Sequence, residues 1–130
     1  MNKLFFLGGL IFLNVSCDPG TQYVNSVVNK SKYEVRLIGN PVAMLDTINI
    51  KTNNKYEIIN RVQLGTLEQN QSRYQDCKDG AEYIKQIEFL IEDSIVCIYQ
   101  PIPSDWKFKI MDNPKSNYGC ECELVLTNSF

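Results

Sequence analysis

The chain has 130 residues, with 13 basic and 15 acidic side chains and no histidine. A net charge of −2 gives no basic footprint for nucleic acid. Without imidazole, Ser-His-Asp and Cys-His nucleophilic systems and histidine-ligated metals are excluded.

At the N-terminus Lys3 precedes an apolar run from Leu4 to Val15, and Val15-Ser16-Cys17 closes it. A basic start, a short apolar stretch and a small residue before cysteine form a lipoprotein export signal. The run is roughly a dozen residues, short of the roughly 20 that a spanning helix needs, so no permanent transmembrane segment is expected. Residues 1–16 read as a signal helix that is removed, and Cys17 as the lipidated first residue of the mature chain. Acylation of its thiol and amino group would supply the two or more chains that stable membrane attachment takes. Asn14 stands where the usual pattern has leucine, with Leu13 one place further back. The alternative is an ordinary secretory signal cut near Ser16, leaving Cys17 as a free thiol. Residues 18–26 are turn-rich and read as a tether, so 17–27 is lipidated cysteine and tether and 28–130 is one domain.

From Ser31 the chain alternates with period two, the mark of half-buried strands. Tyr33, Val35 and Leu37 share a face before Gly39-Asn40-Pro41 breaks the run. Ile48 and Ile50, a turn at Thr52-Asn53-Asn54, then Tyr56 and Ile58 read as a hairpin. After Arg61-Val62-Gln63-Leu64, the polar stretch from Gly65 to Gly80 reads as a long loop with little order. Residues 79–93 fit a helix through Ala81, Ile84, Ile87 and Ile91, or a strand through Ile87, Phe89 and Ile91. A turn or short helix near 79–84 followed by a strand is the favoured reading. Ile95-Val96-Cys97-Ile98-Tyr99 is apolar on both faces and reads as a sheet interior, ended by Pro101 and Pro103. Trp106, Phe108 and Ile110 form the next strand, and Cys120, Cys122, Leu124 and Leu126 the last. About seven short strands with frequent turns predict an all-β fold, an antiparallel, immunoglobulin-like β-sandwich following the signal helix.

The lipobox and polar tether, then Val28-Asn29-Lys30-Ser31-Lys32-Tyr33, Asp93-Ser94-Ile95-Val96-Cys97-Ile98-Tyr99 and Asp112-Asn113-Pro114 before the closing strand, resemble the small β-rich lipoproteins of Bacteroidota. The resemblance spans most of the mature chain through short motifs. It implies an envelope address and an all-β fold, and it brings no activity, cofactor or active site. Asp46-Thr47-Ile48 and Asp93-Ser94-Ile95 also match the Asp, Ser/Thr, aliphatic pattern of a general O-glycosylation system in that group, which makes Thr47 and Ser94 candidate acceptors.

Beyond Cys17 stand Cys77, Cys97, Cys120 and Cys122, and an even number of cysteines in an oxidising compartment points to disulfides. Cys120 and Cys122 at alternate positions of a strand lie roughly 6.5 Å apart, near the upper limit for a bridge. Two bonds crossing between Cys77/Cys97 and Cys120/Cys122 are therefore expected, in either connectivity. A tetrathiolate zinc site is a poorer match, because Cys-x-Cys is not the usual two-residue knuckle spacing.

No phosphate-cradling glycine loop or dinucleotide fingerprint is present, and no cofactor or metal is implied. Glu121 and Glu123 share a face roughly 7 Å apart, within the range of paired glycosidase carboxylates, but they read as a solvated face opposite Cys120 and Cys122. Asp112, Asn113, Ser116 and Asn117 lack calcium-loop spacing and read as turn chemistry. Trp106 and Tyr99 read as core before ligand platform. The expected function is a non-enzymatic envelope module, held on a membrane by its N-terminal lipid with the domain in the periplasm or at the cell surface. It would use its loops or a sheet edge to bind an envelope protein or glycan, or simply accompany another envelope component, and the 66–80 segment with Arg73 and Tyr74 exposed is the leading candidate surface. The alternative is an envelope enzyme or enzyme inhibitor with carboxylates in its loops.

Overall fold

A computed structural model describes residues 20–40, 47–112 and 118–129. Residues 1–19, on which the expected signal segment and Cys17 fall, and residues 41–46, 113–117 and 130 lie outside them. In chain order the elements are β1 (Gly20–Asn29), β2 (Glu34–Gly39), β3 (Ile48–Ile50), β4 (Lys55–Leu64), α1 (Leu67–Tyr74), α2 (Lys78–Tyr83), β5 (Ile84–Ile91), β6 (Ser94–Tyr99), a 3-10 turn (Pro103–Asp105), β7 (Lys107–Asp112) and β8 (Tyr118–Leu126). Two four-stranded sheets, β4-β1-β8-β7 and β3-β2-β5-β6, form the expected all-β sandwich, with eight strands in place of about seven. Val27, Leu124 and Leu126 of the first sheet meet Val35, Leu37, Ile50, Ile87 and Phe89 of the second in the core. The first sheet is mixed: β1 and β8 run parallel, from Gln22 opposite Gly119 to Asn29 opposite Leu126.

The expected tether is instead an interior strand. β1 begins at Gly20 and lies between β4 and β8. Its turn-like composition misleads because its polar residues are buried and satisfied: Thr21, Asn25, Ser26 and Asn29 are all at most 1% exposed. Asn29 Nδ2 donates to the carbonyls of Tyr33 (2.7 Å) and Ile50 (3.0 Å), while its Oδ1 accepts from Ser31 N–H (3.0 Å) and hydroxyl (2.6 Å). One side chain thereby ties the end of β1 to β2 and β3 in the opposite sheet.

The expected hairpin over 48–58 is a crossover. β3 pairs with β2 and β4 pairs with β1, so the Lys51–Asn54 turn carries the chain from one sheet to the other. Asn53 takes the left-handed conformation there (φ 67°), which asparagine tolerates, and its N–H donates to Asn29 O at 2.6 Å.

The polar stretch folds as two helices rather than a loop. Thr66 caps α1: its hydroxyl accepts from Gln69 N–H (3.3 Å) and Gln69 Oε1 accepts from Thr66 N–H (3.1 Å), a reciprocal capping box. The favoured short helix and following strand over 79–91 are present as α2 and β5. Gly80 permits α2 to lie against the first sheet, since a Cβ there would meet Asn25 Oδ1 at 2.8 Å and the Trp106 ring at 2.9 Å. With the amide orientation that satisfies its surroundings, Asn25 accepts from Gly80 N–H (3.0 Å) and donates to Cys122 O (3.1 Å).

Candidate functional site: an open sheet edge

The residues of β6 expected in a sheet interior form an edge. β5 takes the interior place, and β6 pairs with it alone. Glu92 (φ 48°) and Asp93 (φ 66°) make the turn between them, both left-handed as a two-residue hairpin turn requires. Cys97 and Tyr99 point at the core, whereas Ile95, Val96 and Ile98 are 47%, 48% and 54% exposed. A bulge between Phe89 and Leu90 leaves Val96 unpaired. The other three edges carry devices that discourage strand addition. β3 is three residues long. β7 carries Lys107 and Lys109. β4 carries Lys55, Glu57 and Arg61. β6 has no charge and no proline in its six residues.

The expected loop surface is reorganised by Tyr74, which is 4% exposed and belongs to a second small core with Tyr23 and Cys120. The Tyr23 and Tyr74 rings stack at 3.9 Å and 20°, an arrangement that adds to simple burial. Arg61 lies over Tyr23 (5.8 Å) and Arg73 over Tyr74 (5.3 Å). Arg73 is exposed as expected, but Tyr74 is structural. Its hydroxyl and Trp106 Nε1 are buried with no hydrogen-bond partner among the described residues. Trp106, 5% exposed, is core.

Glu121 and Glu123 do not form a solvated face. β8 is central, so its outer face is covered by the long side chains of neighbouring strands, and Glu121 is 1% exposed. Its carboxylate accepts from Ser26 Oγ (2.8 Å), Lys55 Nζ (2.8 Å) and Lys109 Nζ (3.0 Å). Burial alone would raise its pKa, but the bonds from Lys55, Ser26 and Lys109 outweigh burial and hold it below the ordinary carboxylate range. Glu123 shares both lysines, at 3.6 and 3.1 Å. Lys109 is correspondingly held protonated to higher pH, chiefly by its bond to Glu121.

Of the four cysteines, Cys77 and Cys122 are bonded (Cα–Cα 5.6 Å), pinning the junction of α1 and α2 to β8. This is one of the crossing pairs expected. The second bond is absent: Cys97 and Cys120 are free. They cannot meet, since Cys97 is on the edge of one sheet and packs on the main core, while Cys120 is buried in the other beside Tyr23 and Tyr74. Burial raises the Cys120 thiol pKa.

Thr47 and Ser94 are both exposed. Near the end of β6 a cleft of about 280 Å³ opens between Phe89, Tyr99, Asp105, Leu126 and Thr127. Its polar pair is internally engaged: Tyr99 hydroxyl donates to Asp105 Oδ2, which also accepts from Ile102 N–H at 2.9 Å. Asp105 thus braces the crossover from β6 to β7. Among the described residues no cluster of acidic or cysteine side chains is placed to hold a metal ion, and no helix is long and apolar enough to cross a membrane. The chain matches no family model, no curated protein and no solved structure.

Proposed function

We propose that this chain is a non-enzymatic envelope lipoprotein, anchored through Cys17, that binds a protein partner by strand addition at β6. The observation that carries the reading is the contrast among the four edges: three are short or charged, and β6, although bulged at Val96, offers an uncharged strand bearing Ile95, Val96 and Ile98. An extended segment laid along such an edge gains main-chain hydrogen bonds, with side-chain contacts supplying specificity. Against the enzyme alternative, the two nearest carboxylates, Glu121 and Glu123, are already neutralised by Lys55 and Lys109. Glu121, held below the ordinary carboxylate range, is not poised to exchange a proton near neutral pH.

The test places a photo-crosslinking residue at Ile98 in the full chain and irradiates native membranes. The expected product is an adduct to an extended segment of another polypeptide, lost when Ile95→Lys is added. Irradiation that yields no β6 adduct would refute strand addition, and a chain recovered in the soluble fraction would refute the anchor.

A further inference from the structure

The strand from which the lipid anchor leads away starts almost at once. Gly20 opens β1 only three residues after Cys17, and each residue spans at most about 3.6 Å, so Gly20 lies within roughly 11 Å of an acylated Cys17. That limit holds whatever path residues 18 and 19 take. Acylation of Cys17 would therefore keep the end of the sandwich that contains Gly20 within about that distance of the headgroup layer.

That end is also where the chain exposes its most prominent unpaired apolar side chain. Gly20 is opposite Leu64 and Gln22 is opposite Val62 in the β1–β4 register. Leu64 is 87% exposed and Val62 66%, the two highest values among the large apolar residues. Val62 packs directly over Gly20, with Cγ1 2.9 Å from where a Cβ would stand. Alternation puts Val62 and Leu64 on the same face of β4, so they form one apolar step beside the anchor point. The opposite end of β1 and β4, roughly 30 Å away along the ten-residue strands, has the reverse character. There Lys30, Lys32, Lys51, Asn53, Asn54 and Lys55 are exposed.

We infer that Leu64 and Val62 form a membrane-contact surface that inserts into the interfacial region of the bilayer beside the Cys17 lipid, fixing the domain with its lysine-bearing end pointed away. The inference rests on the proposed lipid anchor. Two exposed aliphatic side chains add little affinity by themselves, but next to an existing anchor they need only orient a domain that is already attached. Confinement of the anchor removes the cost of reaching the surface.

The test uses the acylated full chain with Cys97→Ser, carrying an environment-sensitive fluorophore at Leu64→Cys or, as the distal control, at Asn53→Cys. Both sites are exposed, so labelling leaves the core intact. Each protein is reconstituted into phosphatidylcholine vesicles and floated on a density gradient. The expected result is a blue-shifted probe at Leu64, quenched several-fold more strongly by lipid-borne nitroxide than the probe at Asn53, which stays aqueous. Co-flotation with both probes aqueous and equally quenched overturns the contact surface and leaves the anchor standing. Failure to co-float at all overturns the anchor and the inference together.

Discussion

Reducing the Cys77–Cys122 bond tests how far this small sandwich depends on a covalent tie. The bonded residues are 45 apart in sequence. Opening a loop of that size returns roughly 13 cal/mol/K of chain entropy to the denatured state, or about 4 kcal/mol at 25 °C. With unfolding entropy near 2 cal/mol/K per residue, that corresponds to a Tm lower by about 15 to 20 °C. The measurement is urea unfolding of oxidised and fully reduced protein. Reduction removes no side-chain atom and opens no cavity, so the difference reports the cross-link together with the small separation of two buried thiols. Cys97→Ser serves as the control, because Cys97 is half-buried and unbonded, and it should leave the midpoint nearly unchanged. A reduced protein within about 1 kcal/mol of the oxidised one would refute the argument. It would mean that the denatured chain already holds the α1–α2 junction against β8.

Gly80→Ala should destabilise by about 1 to 3 kcal/mol, because the added methyl meets Asn25 and the Trp106 ring inside contact distance; an unchanged urea midpoint would show that α2 can shift freely. Glu121→Gln tests the lysine-held carboxylate. Its folded pKa is depressed, so its contribution to stability is present above the unfolded value of about 4.3 and is lost as pH falls through the lower folded value. The parent should exceed the variant by about 1 kcal/mol near neutrality, a modest figure because Lys55 and Lys109 are 40% and 47% exposed and screened by solvent. The gap should close in acid, and a pH-independent difference would rule out the ionic account.

Strands β2, β5 and β8 could be read from period-two apolar residues because each buries such a face against the opposite sheet, while β7 was read from the same alternation although only Phe108 packs on the core and Ile110 is 43% exposed. β1 could not be read that way. Burying Thr21, Asn25, Ser26 and Asn29 works because carbonyls, a carboxylate and a backbone N–H from distant elements meet them, and no local window contains those partners. α1 was within reach, since Thr66 and Gln69 have capping-box spacing, but the polar run between Gly65 and Gly80 masked it. The hairpin reading of β3 and β4 failed for a general reason: a tight turn joins partners within a sheet and neighbours across a sandwich with the same residues. The edge position of β6 was equally hidden, because an aliphatic strand has the same composition beside one neighbour as between two. Glu121 followed from that ambiguity in reverse, a charged position on a strand that proved central.

The parallel pairing of β1 with β8 ties the start of the fold to its finish. Neither strand of that pair can complete its ladder until about a hundred intervening residues have emerged, and such distant closure makes for slow folding. The second sheet, β3-β2-β5-β6, has all its strands by Tyr99, whereas the first lacks an interior strand until Tyr118–Leu126 is present, so the sandwich closes last along the seam between β1 and β8.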